Sequence, residues 1–180
     1  MMRSIPLLSL TALLRAAPLQ PVAHSAPSAL AADRESWMIV MGYVTAAAQQ
    51  VPDSSYSYRP VPTVRTFGQV IAHIAGSQDM FCAMALGEKA IAFDEIEKTT
   101  TGKAALVAAL KRTIEHCQKA YALTDAEATK RVVKVFVGER NALWALLYST
   151  SHCYEHYGNI VTYMRLKGHV PPSTSRGSED

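Results

Sequence analysis

Cysteine is scarce: Cys82, Cys117 and Cys153 are the only three in 180 residues, and none falls in a C-x-x-C pair. An odd count without close spacing excludes a disulfide scaffold and a zinc ribbon, so free, buried thiols acting as small apolar side chains are expected. Charge is also thin, at 18% against 49% apolar residues, a globular balance rather than that of a disordered chain. Of the formal +3, two charges belong to Arg3 and Arg15 in the first 31 residues, which carry no acid; +1 remains beyond them. The other basic residues are scattered, with Lys111-Arg112 and Lys130-Arg131 the nearest approach to clusters, which leaves no electrostatic basis for nucleic-acid binding. No apolar run approaches the ~20 residues that a membrane span needs. Glycine and proline are ordinary in number, and no internal repeat is present.

What is there begins with "MMRSIPLLSLTALLRAAPLQPVAHSAPSALAAD". An early arginine, an apolar run from Ile5 to Leu14 and a stretch of small residues form the pattern of a signal peptide. Residues 1–31 are therefore expected as a signal peptide or a disordered leader, with cleavage at "ALA" (Ala29–Ala31) or at the earlier "AHSA". Cleavage would make the protein exported or periplasmic; without it the chain would be cytoplasmic.

Helical periodicity dominates the rest. Trp37, Val40, Met41, Val44, Ala47, Ala48 and Val51 mark a first helix that Pro52 ends. Thr66 and Gln69 stand at capping-box spacing ahead of a second helix, which Gly87 stops. Val107, Leu110, Ile114, Cys117 and Tyr121 form the stripe of a third helix over about 103–122. A fourth runs from about 141 to 167, ahead of Gly168 and Pro171-Pro172. Only Val132 to Val137 is rich in β-branched residues, which suits a short β-hairpin before the last helix. The expected fold is all-α: a four-helix bundle over residues 32–172 with long connections, followed by a disordered tail at 173–180.

The fourth helix carries "HCYEH". His152 and His156, at i and i+4, share a stripe with Ala145, Ser149, Ile160 and Tyr163, and so face inward about one turn apart. Two buried imidazoles must satisfy four ring nitrogens, and a shared metal ion resolves that demand. The H-x-x-E-H order invites a metallopeptidase reading, but only Glu179 and Asp180 follow as downstream acids, so that class lacks its third ligand. His73, midway along the second helix among Val70, Ile71 and Ile74, supplies a third imidazole instead. Three histidines leave coordination positions open, the pattern of a catalytic site. Three neutral imidazoles do not choose among zinc, nickel and iron. Glu155 is a weak catalytic candidate, as a proton carrier or an outer partner of the site; an ion pair at the surface or between helices is its other reading. Tyr154, Tyr157 and Asn159 are candidates for substrate contact or for packing. His24 lies in the leader, His169 beyond the helix stop, and His116 is one residue off its stripe and expected in solvent.

"YSYRPVPTVRTFGQVIAHIAGSQDMFCAMALGE" and "HCYEHYGNIVTYMRLKGHVPPS" resemble the two signature segments of the DinB / YfiT-like superfamily, a resemblance that extends from about Trp37 to Ser173. It implies a four-helix bundle of unusual connectivity and a metal held by one histidine of the second helix and two of the last, which fall on His73, His152 and His156. Better understood members of that superfamily are thiol S-transferases and a thiol-dependent isomerase that use low-molecular-weight thiols, and many members are homodimers. The expectation is a metal-dependent enzyme, thiol S-transferase-like or hydrolase, acting on a small-molecule substrate as a homodimer. The alternative is a non-catalytic, metal-stabilised bundle that serves as a stress-response binding module. Export would separate the protein from the cytoplasmic pool of such thiols.

Overall fold

A computed structural model describes residues 28–175. Four long helices, α1 (Ala29–Gln50), α2 (Phe67–Leu86), α4 (Lys103–Ala120) and α6 (Ala142–Leu166), form the bundle; the short helices α3 (Glu95–Thr99), α5 (Asp125–Lys130) and α7 (Pro172–Ser175) lie in the connections and after the last long helix. Strands β1 (Val132–Val135) and β2 (Gly138–Asn141) make an antiparallel hairpin just before α6, pairing Val132 with Asn141 and Lys134 with Glu139. The all-α bundle with a hairpin is thus present, while α3 and α5 fall in stretches that periodicity left as linkers.

The long connections have a geometric cause. α2 packs against α4 and α6, and α1 packs against the same two helices. Consecutive helices α1 and α2 therefore sit diagonally, as do α4 and α6, and the chain must cross the bundle end to join them. Residues 51–66 make the first crossing, and the α5–hairpin segment makes the second.

The helix ends are chemically specified. Thr66 accepts from the Gln69 amide while the Gln69 side chain accepts from the Thr66 amide, the box read from sequence. Gly87 closes α2 at φ 75°, a left-handed conformation that costs an L side chain energy. α1 starts earlier than its periodic stripe suggests. Ser28 accepts from the Ala31 amide, and Asp125 accepts from the amides of Ala29 and Leu30 at 3.0 and 3.1 Å. Ala29–Ala31 therefore form the first turn of α1, with Leu30 buried; the earlier "AHSA" lies outside the described residues. At the other end, α7 takes up Ser173 to Ser175, the first residues of the expected tail, and Ser173 bonds the Tyr157 hydroxyl at 3.0 Å. No helix among the described residues is long and apolar enough to cross a membrane.

The core corrects one expectation. Cys82 of α2 and Cys117 of α4 form a disulfide, leaving Cys153 as the free, buried thiol among the described residues. The two sulfurs meet because α2 and α4 lie flank to flank, a relation that residues 35 apart in sequence do not reveal. His116, expected in solvent, is a second correction. It is only 21% exposed in its side chain and spans the same seam, with Nδ1 2.6 Å from Asp79 and Nε2 2.8 Å from Glu88. Burial pulls its pKa down, but the two carboxylates outweigh this and raise it above the ordinary value.

Candidate metal centre

α2 and α6 pack directly together, and their contact brings His73, His152 and His156 into one cluster. His152 Nε2 lies 3.4 Å from His73 Nε2 and 3.0 Å from His156 Nε2, and the rings stand nearly perpendicular where His156 meets the other two. Three ring nitrogens converge on a single point. Two imidazole nitrogens on a common tetrahedral ion, each at about 2.0–2.1 Å, are roughly 3.3 Å apart, so the donor set fits a transition metal in spacing and chemistry. Nδ1 of His73 and of His152 are buried without a hydrogen-bond partner among the described residues.

The cluster is kept neutral. Burial, followed by the charge of Arg65 and by the neighbouring imidazoles, lowers the His73 pKa to about 3. Burial and His156 lower that of His152 to about 4, with Glu155 pulling the other way; burial likewise lowers His156 against Glu155. Near neutral pH all three present lone pairs rather than N–H charges, the state a metal requires.

The groups around the triad were only partly legible from sequence. Glu155, one residue before His156, is exposed and acts on the two α6 histidines through its field. The carboxylate nearest a ring is Glu97 of α3, whose Oε2 lies 3.8 Å from His73 Nδ1. That is beyond hydrogen-bond reach, and burial rather than Glu97 governs the His73 imidazole. Arg65 holds Glu97 with its Nε 3.1 and 3.2 Å from the two oxygens. Glu97 is thus held on the Nδ1 side of His73 without a hydrogen bond to the ring. Asn159 stands behind His156, with its side-chain amide 3.4 Å from Nδ1. Tyr154 and Tyr157 point elsewhere: Tyr154 donates to the Ser36 carbonyl, and Tyr157 pairs with Ser173 and stacks on Tyr43.

Gly76 lets α3 and its preceding loop reach the site. A Cβ there would lie 2.6 Å from the Phe93 carbonyl oxygen, so only glycine lets the loop close onto α2. Phe93 then meets the His73 ring edge-on at 5.9 Å.

Two of the three histidines line an open cavity of about 370 Å³. His73 and His152 line it, together with Met80, Phe81 and Met84 of α2 and the hairpin residues Val135 and Phe136. Tyr148, one turn before His152, stacks on that imidazole at 6.2 Å and 21°, and is itself flanked by Phe81, Phe136 and Trp144. His24 lies outside the described residues; His169 caps the end of α6 through its backbone.

The sequence profile of the DinB superfamily matches residues 40–160. No curated protein sequence matches the chain. Among solved structures, a DinB-like protein from Bacillus cereus superposes with a TM-score of 0.66 at 19% identity, covering 78% of this chain and 93% of that one. A DinB-like protein from Bacillus subtilis gives 0.62 at 20% identity over 77% and 93%. A mycothiol-dependent maleylpyruvate isomerase gives 0.58 at 17% identity over 78% and 67%. At these identities the structures share the fold, and the profile match over most of the bundle fixes the lineage: the chain belongs to the DinB superfamily.

Proposed function

We propose that this protein is a metal-dependent enzyme that acts on a small apolar molecule. The observation that carries this reading is the convergence of three neutral imidazoles, two of which, His73 and His152, line an open apolar cavity. His73, His152 and His156 would hold zinc, nickel or iron through Nε2, leaving coordination positions free. When bound, such an ion lowers the pKa of a coordinated water or thiol and polarises an electrophile. The chain does the rest. Asn159 stands behind the His156 ring, the apolar walls strip water from a bound molecule, and Tyr148 supplies a flat surface beside His152. An exchangeable site facing a cavity also suits catalysis better than a structural metal, whose ligand shell is closed. Elemental analysis of the untagged protein tests this. One transition metal per chain is expected, and it should be lost in H152A/H156A. Absence of metal in the wild type after reconstitution with zinc, nickel and iron would overturn the reading.

The reacting nucleophile in this reading is water, which makes the enzyme a hydrolase. Two observations support it: the leader has the pattern of an export signal, and the disulfide suits an oxidising compartment where low-molecular-weight thiols are scarce. The likeness to a mycothiol-dependent isomerase favours a thiol in the same place. Alkylation of the protein from its native host, without reductant, separates the two. Export predicts that Cys82 and Cys117 stay unlabelled after denaturation while Cys153 reacts. Three reactive thiols would place the chain in a reducing compartment and favour the thiol.

A further inference from the structure

We propose that the cavity selects an apolar carboxylate, with its anionic end held at the mouth by Lys134 and its other end delivered to the histidines. The proposal rests on the enzymatic reading of the triad and specifies its substrate class.

The charges around the cavity carry the argument. Its lining holds one formally charged side chain, Lys134 of β1, and no aspartate or glutamate. Glu139 is the cross-strand neighbour of Lys134, yet no ion pair joins them within 4 Å, and Lys134 has no carboxylate partner among the described residues. The other acids near His73 are engaged: Asp94 pairs with Lys98 at 2.7 Å and Glu97 with Arg65 at 3.1 Å. The lining therefore carries one positive charge and no negative one, and a metal on the triad would add to it. A cleft with charge of one sign and apolar walls concentrates ligands of the opposite sign.

A bare anion would gain little from the remaining surface. Thioether and aromatic walls favour an apolar body, and a buried charge among them would be costly. Both demands are met by an amphipathic ligand whose charge stays at the solvent edge, where the four-carbon stem of Lys134 on the exposed side of β1 lets its ammonium follow the headgroup. A single ammonium balances the one negative charge of a carboxylate, whereas a phosphate monoester carries about −1.5 to −2. Met80 and Met84 are flexible and polarisable, so the walls tolerate either a chain or a ring. At about 370 Å³ the cavity is in the range of small-molecule sites.

Calorimetric titration of the zinc-loaded full chain with octanoate, octanamide and octylammonium tests the proposal. Octanoate should bind about fivefold more tightly than octanamide, the strength of one partly exposed ion pair, and octylammonium should bind least. K134Q should erase the preference for octanoate over octanamide, and K134E should reverse it. The same preference should persist in H152A/H156A without zinc, since Lys134 lies outside the triad. That result would sustain the headgroup site even if no metal were ever found. Equal binding of octanoate and octanamide, or no binding of any probe, overturns it. A preference that disappears with the metal but survives in K134Q also overturns it, and places the anion on the metal.

Discussion

Zinc added to the metal-free protein should raise its unfolding midpoint by on the order of 10 °C, and the rise should persist as the pH falls from 7.5 through about 6.5. The size follows from mass action. A ligand at a thousandfold its Kd adds about 4 kcal/mol to the native state, and each kcal/mol shifts a domain of this length by about 2–4 °C. Replacing His73, His152 or His156 by alanine should remove the response. The pH behaviour distinguishes this site from three exposed histidines. Exposed imidazoles take up protons near pH 6.5 and lose zinc there. Here burial holds His73 at about 3 and His152 at about 4, and lowers His156, so protons compete weakly in the folded state. The metal-free baseline should behave differently. A histidine with a depressed folded pKa contributes its full stability above its unfolded value of about 6.5, and loses it as the unfolded state protonates on the way down. Stability of the metal-free chain should therefore fall steadily below about pH 6.5, whereas the zinc increment should hold through that value. An increment that collapses near pH 6.5 would show that the imidazoles are solvated and that burial does not set their charge.

The two α6 histidines were legible because their chemistry and their helical period coincide: i, i+4 on an inward stripe places both on one wall. The helix starts at Thr66 and the stop at Gly87 were legible for the same local reason, each being set by residues within a turn. What the sequence hid is set by crossings. Glu97, Arg65 and Phe93 reach His73 only because the loop ahead of α3 folds back onto α2 at Gly76, and no spacing rule encodes that approach. His116 reads as solvated on its own helix because both of its partners, Asp79 and Glu88, stand on or just beyond α2. Lys134 reads as one more strand lysine until the hairpin is seen to line the cavity.

The disulfide should be the largest single covalent contribution to stability, and C82A/C117A should lose about 4 kcal/mol relative to the oxidised wild type. Cross-linking residues 35 apart removes that much chain entropy from the unfolded state. By the same scaling the midpoint should fall by on the order of 10 °C. Both sulfurs belong to fully buried residues, so a reductant reaches them only after α2 and α4 part. Dithiothreitol alone should therefore leave the native protein oxidised for as long as it stays folded, and should act at once in denaturant. The zinc response gives a second readout. The metal ligands lie on α2 and α6, whereas the bond joins α2 to α4, so the variant should keep its zinc-induced rise at a lower baseline. Loss of both stability and zinc response would mean that the α2–α4 seam also sets the position of His73. A variant as stable as the wild type would mean that the bond does not form in solution; the clamp of His116 on Asp79 and Glu88 would then carry the seam, together with apolar packing.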